Sequence, residues 1–264
     1  MLASALSVNR DYWNSLAASF DQDLLEIAEA GDGKVLREEL EELSSSRGRV
    51  ADLGCGPGSL LPVLAERFQE VLAVDYAEGL LEVARERCRA PNVDFQCHDL
   101  SRGQQLPFEV EVACCVNALI DPDRMKRAGM ARSVASALGG DGAAVIVVPA
   151  LESVFHVYHS LLRCRQREGP PAGLNESEAD RLLQGEVVSF AGGVVEVGGV
   201  PTKYWMREEL LEFLQEHGLV PQRVRRIEYG WGEEIDEPPS WLQKPWPWDW
   251  LVVARKRADC PREG

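Results

Sequence analysis

The 264 residues, 45% hydrophobic and 27% charged, have an ordinary globular composition and fit one large domain, or one domain with a lid. Lysine and arginine number 28 against 43 aspartates and glutamates, and the resulting net charge of −15 repels phosphate backbones, which argues against nucleic acid as a primary partner, while cations are attracted. Seven cysteines without a Cys-x-x-Cys pair point to reduced thiols in a cytoplasmic setting, and no apolar run approaches the ~18 residues of a membrane span.

Residues 11–30 carry an apolar stripe of Tyr12, Trp13, Leu16, Phe20, Leu24, Leu25 and Ile27 and are predicted to be helical. A second predicted helix, Val35 to Leu43, follows the Gly31-Asp32-Gly33 break. Residues 1–48 are therefore expected to be a helical cap. From Arg49 the chain alternates between strand and helix. Predicted strands cover Val71 to Asp75, Asn92 to Cys97, Val110 to Val116 and Ala143 to Val148, with a helix from Asp123 to Leu138 stopped by Gly139-Gly140. Such repetition implies a parallel sheet with helices on both faces, and ligands then bind beyond the carboxyl ends of the strands. Residues 49–150 form this expected core.

The period breaks after Pro149. Leu151 to Arg167 reads as a long helix, Glu168 to Asn175 as a loop, and Glu186 to Val197, containing Gly192-Gly193, as a small hairpin or pair of short strands. Residues 151–206 are expected to be an inserted lid over the substrate. Arg207 to His217 is a further helix, capped by Gly218. Gln222 to Tyr229 and Trp248 to Ala254 then close the sheet as an antiparallel pair, so residues 207–258 rejoin the core domain.

The most informative stretch is Val50-Ala51-Asp52-Leu53-Gly54-Cys55-Gly56-Pro57-Gly58, a buried strand entering a glycine turn before a helix. Glycines let a backbone approach a ligand closely, and the helix start behind them offers free N–H groups. Ser59 stands where a dinucleotide fingerprint wants its third Gly or Ala, which opposes an NAD-dependent oxidoreductase. Asp52 interrupts an apolar strand, and a buried carboxylate is costly unless it meets a cation or hydrogen-bond donors. The pattern V-x-D-L-G-C-G-P-G resembles the first motif of class I S-adenosylmethionine (SAM)-dependent methyltransferases.

That resemblance implies a Rossmann-like sheet of seven mostly parallel strands with a reversed last strand, and SAM as cofactor. It implies that Asp52, Gly54, Cys55, Gly56 and Gly58 hold the methionine end of the cofactor. Asp75, 17 positions after Gly58, is where an acid holds ribose hydroxyls; a helix N-cap is the alternative, and it does not exclude ribose binding. Tyr76 is placed to pack on adenine, and Asp99 with Leu100 to meet the adenine edge. Asn117 lies where the chain of this family approaches methionine and substrate. It is not followed by Pro-Pro and an aromatic, which lowers readings in which a nucleic-acid base or a glutamine amide is methylated.

The catalytic side is less legible. His156, His159 and Tyr204 are candidates for a base or a substrate contact, with a lid or packing role as the alternative. Metal is not expected, because the two histidines lack further ligands at a suitable spacing. Tyr204-Trp205, Trp231, Trp241, Trp246, Trp248 and Trp250 read either as an aromatic cage for an ammonium group or as core packing. The expected activity is methyl transfer to nitrogen or oxygen of a small molecule, amines included. Methylation of a basic protein partner and a non-catalytic partner subunit are the alternatives.

Overall fold

The computed structural model describes residues 33–44, 48–168, 187–189, 191–197, 199–235 and 237–257. The helix expected over residues 11–30 and the loop expected over 168–175 lie outside the described residues, apart from position 168. A seven-stranded sheet organises the rest. Its strands are β1 (Arg49–Leu53), β2 (Glu70–Asp75), β3 (Val93–Cys97), β4 (Val110–Val116), β5 (Leu138–Pro149), β9 (Leu219–Glu228) and β10 (Trp248–Lys256). They lie in the order β3-β2-β1-β4-β5-β10-β9, and only β10 runs antiparallel to its neighbours. The chain moves outward from β1 to β3 and then returns to the other side of β1 with β4. That reversal opens a crevice beyond the carboxyl ends of β1 and β4, the place where such sheets bind ligands.

Six helices flank the sheet: α1 (Gly33–Leu43), α2 (Leu61–Arg67), α3 (Glu78–Arg87), α4 (Arg124–Ala137), α5 (Leu151–Glu168) and α6 (Arg207–Glu216). Strand alternation divides the core into two faces. Ala51, Leu53, Cys115, Ile146, Trp205 and Trp250 pack on one. Val50, Cys114, Val145, Leu251 and Ile227 pack on the other, under Leu36 and Leu40 of α1 and Leu61 of α2. Polar residues fasten α1 as well: the buried Glu39 is paired by Arg223 and Arg225 of the edge strand β9.

Three expectations shift. Helix α4 ends at Ala137 without a glycine stop, because Leu138 is already extended and Gly139 and Gly140 run inside β5. Leu138 pairs with Val110 and is fully buried, so core filling fixes the start of the strand. Strand β9 begins at Leu219 and carries Pro221, which an edge strand with a register shift tolerates. The expected hairpin is a three-stranded sheet of β6 (Val187–Ser189), β7 (Val194–Val197) and β8 (Val200–Lys203). Its third strand ends in Lys203, fully buried, whose Nζ donates to Glu209 at 2.6 Å and to the Gly192 carbonyl at 2.8 Å. A Pro-Thr-Lys sequence hides such a strand from periodicity. Among the described residues no helix is long and apolar enough to cross a membrane.

Candidate active site

The glycine turn is tied on both sides. The N–H groups of Gly54 and Cys55 donate to the Val74 carbonyl at 2.7 and 3.0 Å, and Gly56 N–H donates to Asp75 Oδ2 at 3.0 Å. Gly54, Gly56 and Gly58 all take positive φ, at 83°, 52° and 81°. A Cβ on Gly54 would stand 2.5 Å from the Ala118 Cβ, so only glycine lets the β1 turn pass the end of β4. A Cβ on Gly56 would meet nothing within 4 Å, which leaves bare backbone facing open space. Cys55 is buried beneath the turn, and burial followed by the charges of Asp52 and Asp75 raises its thiol well above the ordinary range.

Asp52 is 2% exposed and accepts no hydrogen bond from any described residue. Burial, reinforced by the charge of Asp75, pushes its carboxyl up to about 7. Asp75 is buried at the end of β2. It does not occupy the N-cap position of α3, which belongs to Ala77. Instead its Oδ1 accepts from the Ala77 N–H at 2.9 Å while Oδ2 holds Gly56, so one carboxylate joins the turn to the head of α3. Burial still raises it above the usual carboxylate range. Asn117 follows β4 with φ 50°, its N–H donates to the Val147 carbonyl at 2.9 Å, and its buried Oδ1 has no hydrogen-bond partner among the described residues. These groups converge on the rim of β1, β2 and β4.

Tyr76 is half-buried after β2. Asp99 takes the place of a cap: its Oδ1 accepts from Ser101 N–H and Oγ at 3.1 and 2.6 Å, and Oδ2 pairs with Arg102 at 3.2 Å. Leu100 is buried in the core behind it. The histidines do not share an environment. His156 Nε2 lies 2.8 Å from the Pro245 carbonyl, with its ring between Trp231 and Trp248, whereas His159 is exposed. The tryptophan cluster is core packing whose faces the chain already covers with its own cations. Arg226 stands 3.9 Å from the Trp248 ring, Lys203 4.7 Å from Trp205, Arg167 4.5 Å from Trp241 and Lys244 4.4 Å from Trp246.

A second polar cluster, missed in the sequence, occupies the same edge of the sheet further along. Asp249 of β10 is 9% exposed, lies opposite Pro149 of β5, and shares its sheet face with Leu251 and Val253. Burial, then the charge of Glu234, pushes its carboxyl up to about 7, although the Ala150 N–H lowers it. Tyr229, just past β9, donates to Glu234 at 3.0 Å. Tyr204 faces Glu234, Asp249 and Tyr158, and burial together with those charges raises its hydroxyl. The signal was available: Asp249 interrupts an apolar strand in Trp248-Asp249-Trp250 just as Asp52 interrupts β1.

The comparisons agree with this geometry. Residues 50–142 match the family model described as a methyltransferase domain. Malonyl-[acyl-carrier protein] O-methyltransferase of Acetivibrio thermocellus is 38% identical over 63 residues, 23% of this chain and 22% of that protein. Ubiquinone biosynthesis O-methyltransferase of Coxiella burnetii is 27% identical over 130 residues, covering 47% of this chain and 53% of that one. The chain thus spans only a fifth to about half of the length of these relatives. The structure of Burkholderia thailandensis 1,6-didemethyltoxoflavin-N1-methyltransferase, solved with 1,6-didemethyltoxoflavin and S-adenosylhomocysteine (SAH), superposes with a TM-score of 0.60 at 16% identity, over 97% of this chain and 92% of that one. The glycine turn, the strand order and the matched segment agree in marking a methyltransferase domain over residues 50–142.

Proposed function

We propose that the chain transfers a methyl group from SAM to nitrogen or oxygen of a small molecule. The observation that carries this reading is Asp52, a carboxylate 2% exposed with no hydrogen-bond partner among the described residues, beside backbone left bare at Gly56. A cationic ligand approaching the turn supplies what Asp52 lacks, and the cofactor fits that need. Asp52, Gly54, Cys55, Gly56 and Gly58 would hold its methionine end. Asp75, with two acceptor sites already used, keeps lone pairs for ribose hydroxyls. Tyr76, Asp99 and Leu100 would border adenine, Asp99 in addition to its capping bonds, and the unpartnered Asn117 Oδ1 would meet the methionine or the acceptor.

The cofactor supplies an electrophilic methyl carbon, and the protein then has to orient the acceptor and exclude water. Helix α5 and the β6-β7-β8 sheet support a covering role, since Lys203 ties the sheet to Glu209 of α6, Glu152 of α5 accepts from the Arg207 N–H at 2.9 Å, and the Trp205 N–H donates to the Pro149 carbonyl at 2.9 Å. Residues 151–206 are on this reading a lid that shapes a small-molecule site. Among the described residues Cys55, Cys88, Cys114 and Cys115 are buried thiols, which supports a reducing, cytoplasmic setting.

Calorimetric titration of the full chain with SAM, SAH and NAD tests the reading. Binding of SAM or SAH in the micromolar range, about −8 kcal/mol, is expected, with no heat from NAD. Binding of NAD alone would overturn it.

A further inference from the structure

Three consecutive carbonyls of the turn after β4 are held by buried residues from elsewhere in the chain. The Leu119 carbonyl accepts from Trp205 Nε1 at 2.8 Å, the Ile120 carbonyl from the Lys203 N–H at 2.8 Å, and the Asp121 carbonyl from Arg127 of α4. The same turn carries Asn117 at φ 50°, a conformation uncommon outside glycine. Its N–H is fixed from the β5 side by the Val147 carbonyl, and the next residue, Ala118, occupies the space that a side chain on Gly54 would need. Trp205 is 1% exposed and joins three segments. Its indole reaches the β4 turn, its N–H donates to Pro149 at the end of β5, and its carbonyl accepts from the Leu151 N–H at the head of α5 at 3.0 Å. Lys203, whose backbone makes the middle of the three bonds, is itself locked to Glu209 of α6.

We propose that Trp205 is a positioning residue for the cofactor side of the site: by holding the Leu119 carbonyl it keeps Asn117 at positive φ, with its carboxamide where the bound cofactor meets it. The inference rests on the methyltransferase reading and adds to it that the insertion, there assigned to the acceptor, also sets cofactor affinity. A buried carbonyl that loses its donor is driven to find another, and a strained φ relaxes once one of its restraints is gone. Only Ala118 stands between Leu119 and Asn117, and it is confined against Gly54, so a shift at Leu119 passes on to Asn117. Core filling is the competing account, because Trp205 also packs on Phe213, with ring centroids 4.8 Å apart. The two accounts differ in what the indole N–H does. Filling needs only the ring, whereas positioning needs the donor.

The test measures SAH affinity of the full chain by calorimetry, with the denaturation midpoint taken alongside. Trp205→Phe, which keeps an aromatic ring and removes the donor, is expected to weaken SAH binding about tenfold. Benzothienylalanine at position 205 replaces only the N–H by sulfur and keeps the shape of the indole. It should give the same loss, so the result does not depend on how well a smaller phenyl ring fills the core. Phe213→Leu, which disturbs the packing on the indole and removes no donor, should lower the midpoint and leave SAH affinity unchanged. Asn117→Gly tolerates the positive φ and removes the carboxamide, so adding Trp205→Phe to it should cost no further affinity. With the unaltered chain binding SAH, the inference alone is overturned by any of three results: unchanged affinity in the benzothienylalanine chain, a loss in Phe213→Leu equal to that in Trp205→Phe, or additive losses in the double variant. Failure of the unaltered chain to bind SAH brings down the methyltransferase reading and this inference with it.

Discussion

Asp52 and Asp249 occupy one face of one sheet, both at least nine-tenths buried and both with carboxyls pushed up to about 7, yet their surroundings are assembled differently. Around Asp52 the neighbours are close in sequence: Gly54, Gly56 and Asp75 are joined by backbone hydrogen bonds across two adjacent strands. Around Asp249 they arrive from far apart, Tyr158 on α5, Tyr204 after β8, Tyr229 after β9 and Glu234 in the following loop. The first arrangement is a backbone device that many sequences can build in one way. The second is a set of side chains carried on the ends and loops of elements that are distant in the chain.

The strongest way to sharpen this comparison is pH. Both carboxyls ordinarily titrate near 3.8 and are raised in the folded protein, so each favours the protonated folded state. Their contribution to stability is full below pH ~4 and is lost as pH rises through about 7. Urea denaturation of the cofactor-free chain and of Asp52→Asn should therefore coincide near pH 4. The variant should become more stable above pH 7, by a difference on the order of 4 kcal/mol at most. Asp249→Asn should behave alike. A difference independent of pH would mean that these carboxylates are not desolvated as described.

Gly54→Ala attacks the backbone half. The added methyl collides with Ala118 and demands positive φ of a residue that resists it, so a loss of about 3 kcal/mol of stability is expected, read from the denaturation midpoint. An unchanged midpoint would show that the β1 and β4 ends are not in contact. Asp52→Asn should weaken SAM and SAH binding by about 2 kcal/mol, roughly thirtyfold, in calorimetry. Retention of full affinity would remove Asp52 from the cofactor side. The smallest change is Tyr229→Phe, expected to cost about 1 kcal/mol of stability through the lost bond to Glu234 and to leave SAH affinity alone. A large loss of SAH affinity in that variant would join the two regions into one.

The family motif was legible because a close-approach turn needs glycines in fixed order and a buried acid stands out in an apolar strand. The strand-helix alternation was legible for a related reason: β1 and β5 are buried on both faces and read as continuous apolar runs. Where local signals compete, the sequence misleads. Gly139-Gly140 looks like a helix stop but lies inside β5, since burying Leu138 outweighs the local preference. His156 and His159 stand at helical spacing, yet one is bound to Pro245 and the other faces solvent.

The alternating elements and the glycine turn are written in the chain itself, because they depend on periodicity and on short-range backbone geometry, whereas SAM as cofactor is what the resemblance of the V-x-D-L-G-C-G-P-G motif implies. Only the tertiary structure decided that the tryptophans are filled by the chain's own cations, that Lys203 is buried against Glu209, and that Tyr204, Tyr229, Glu234 and Asp249 meet. The place of Asp249 follows from the antiparallel insertion of β10 between β5 and β9, which sets it opposite Ile227 and opposite Pro149, a hundred positions earlier in the chain. Local spacing cannot encode a contact that arises only when distant strands pair.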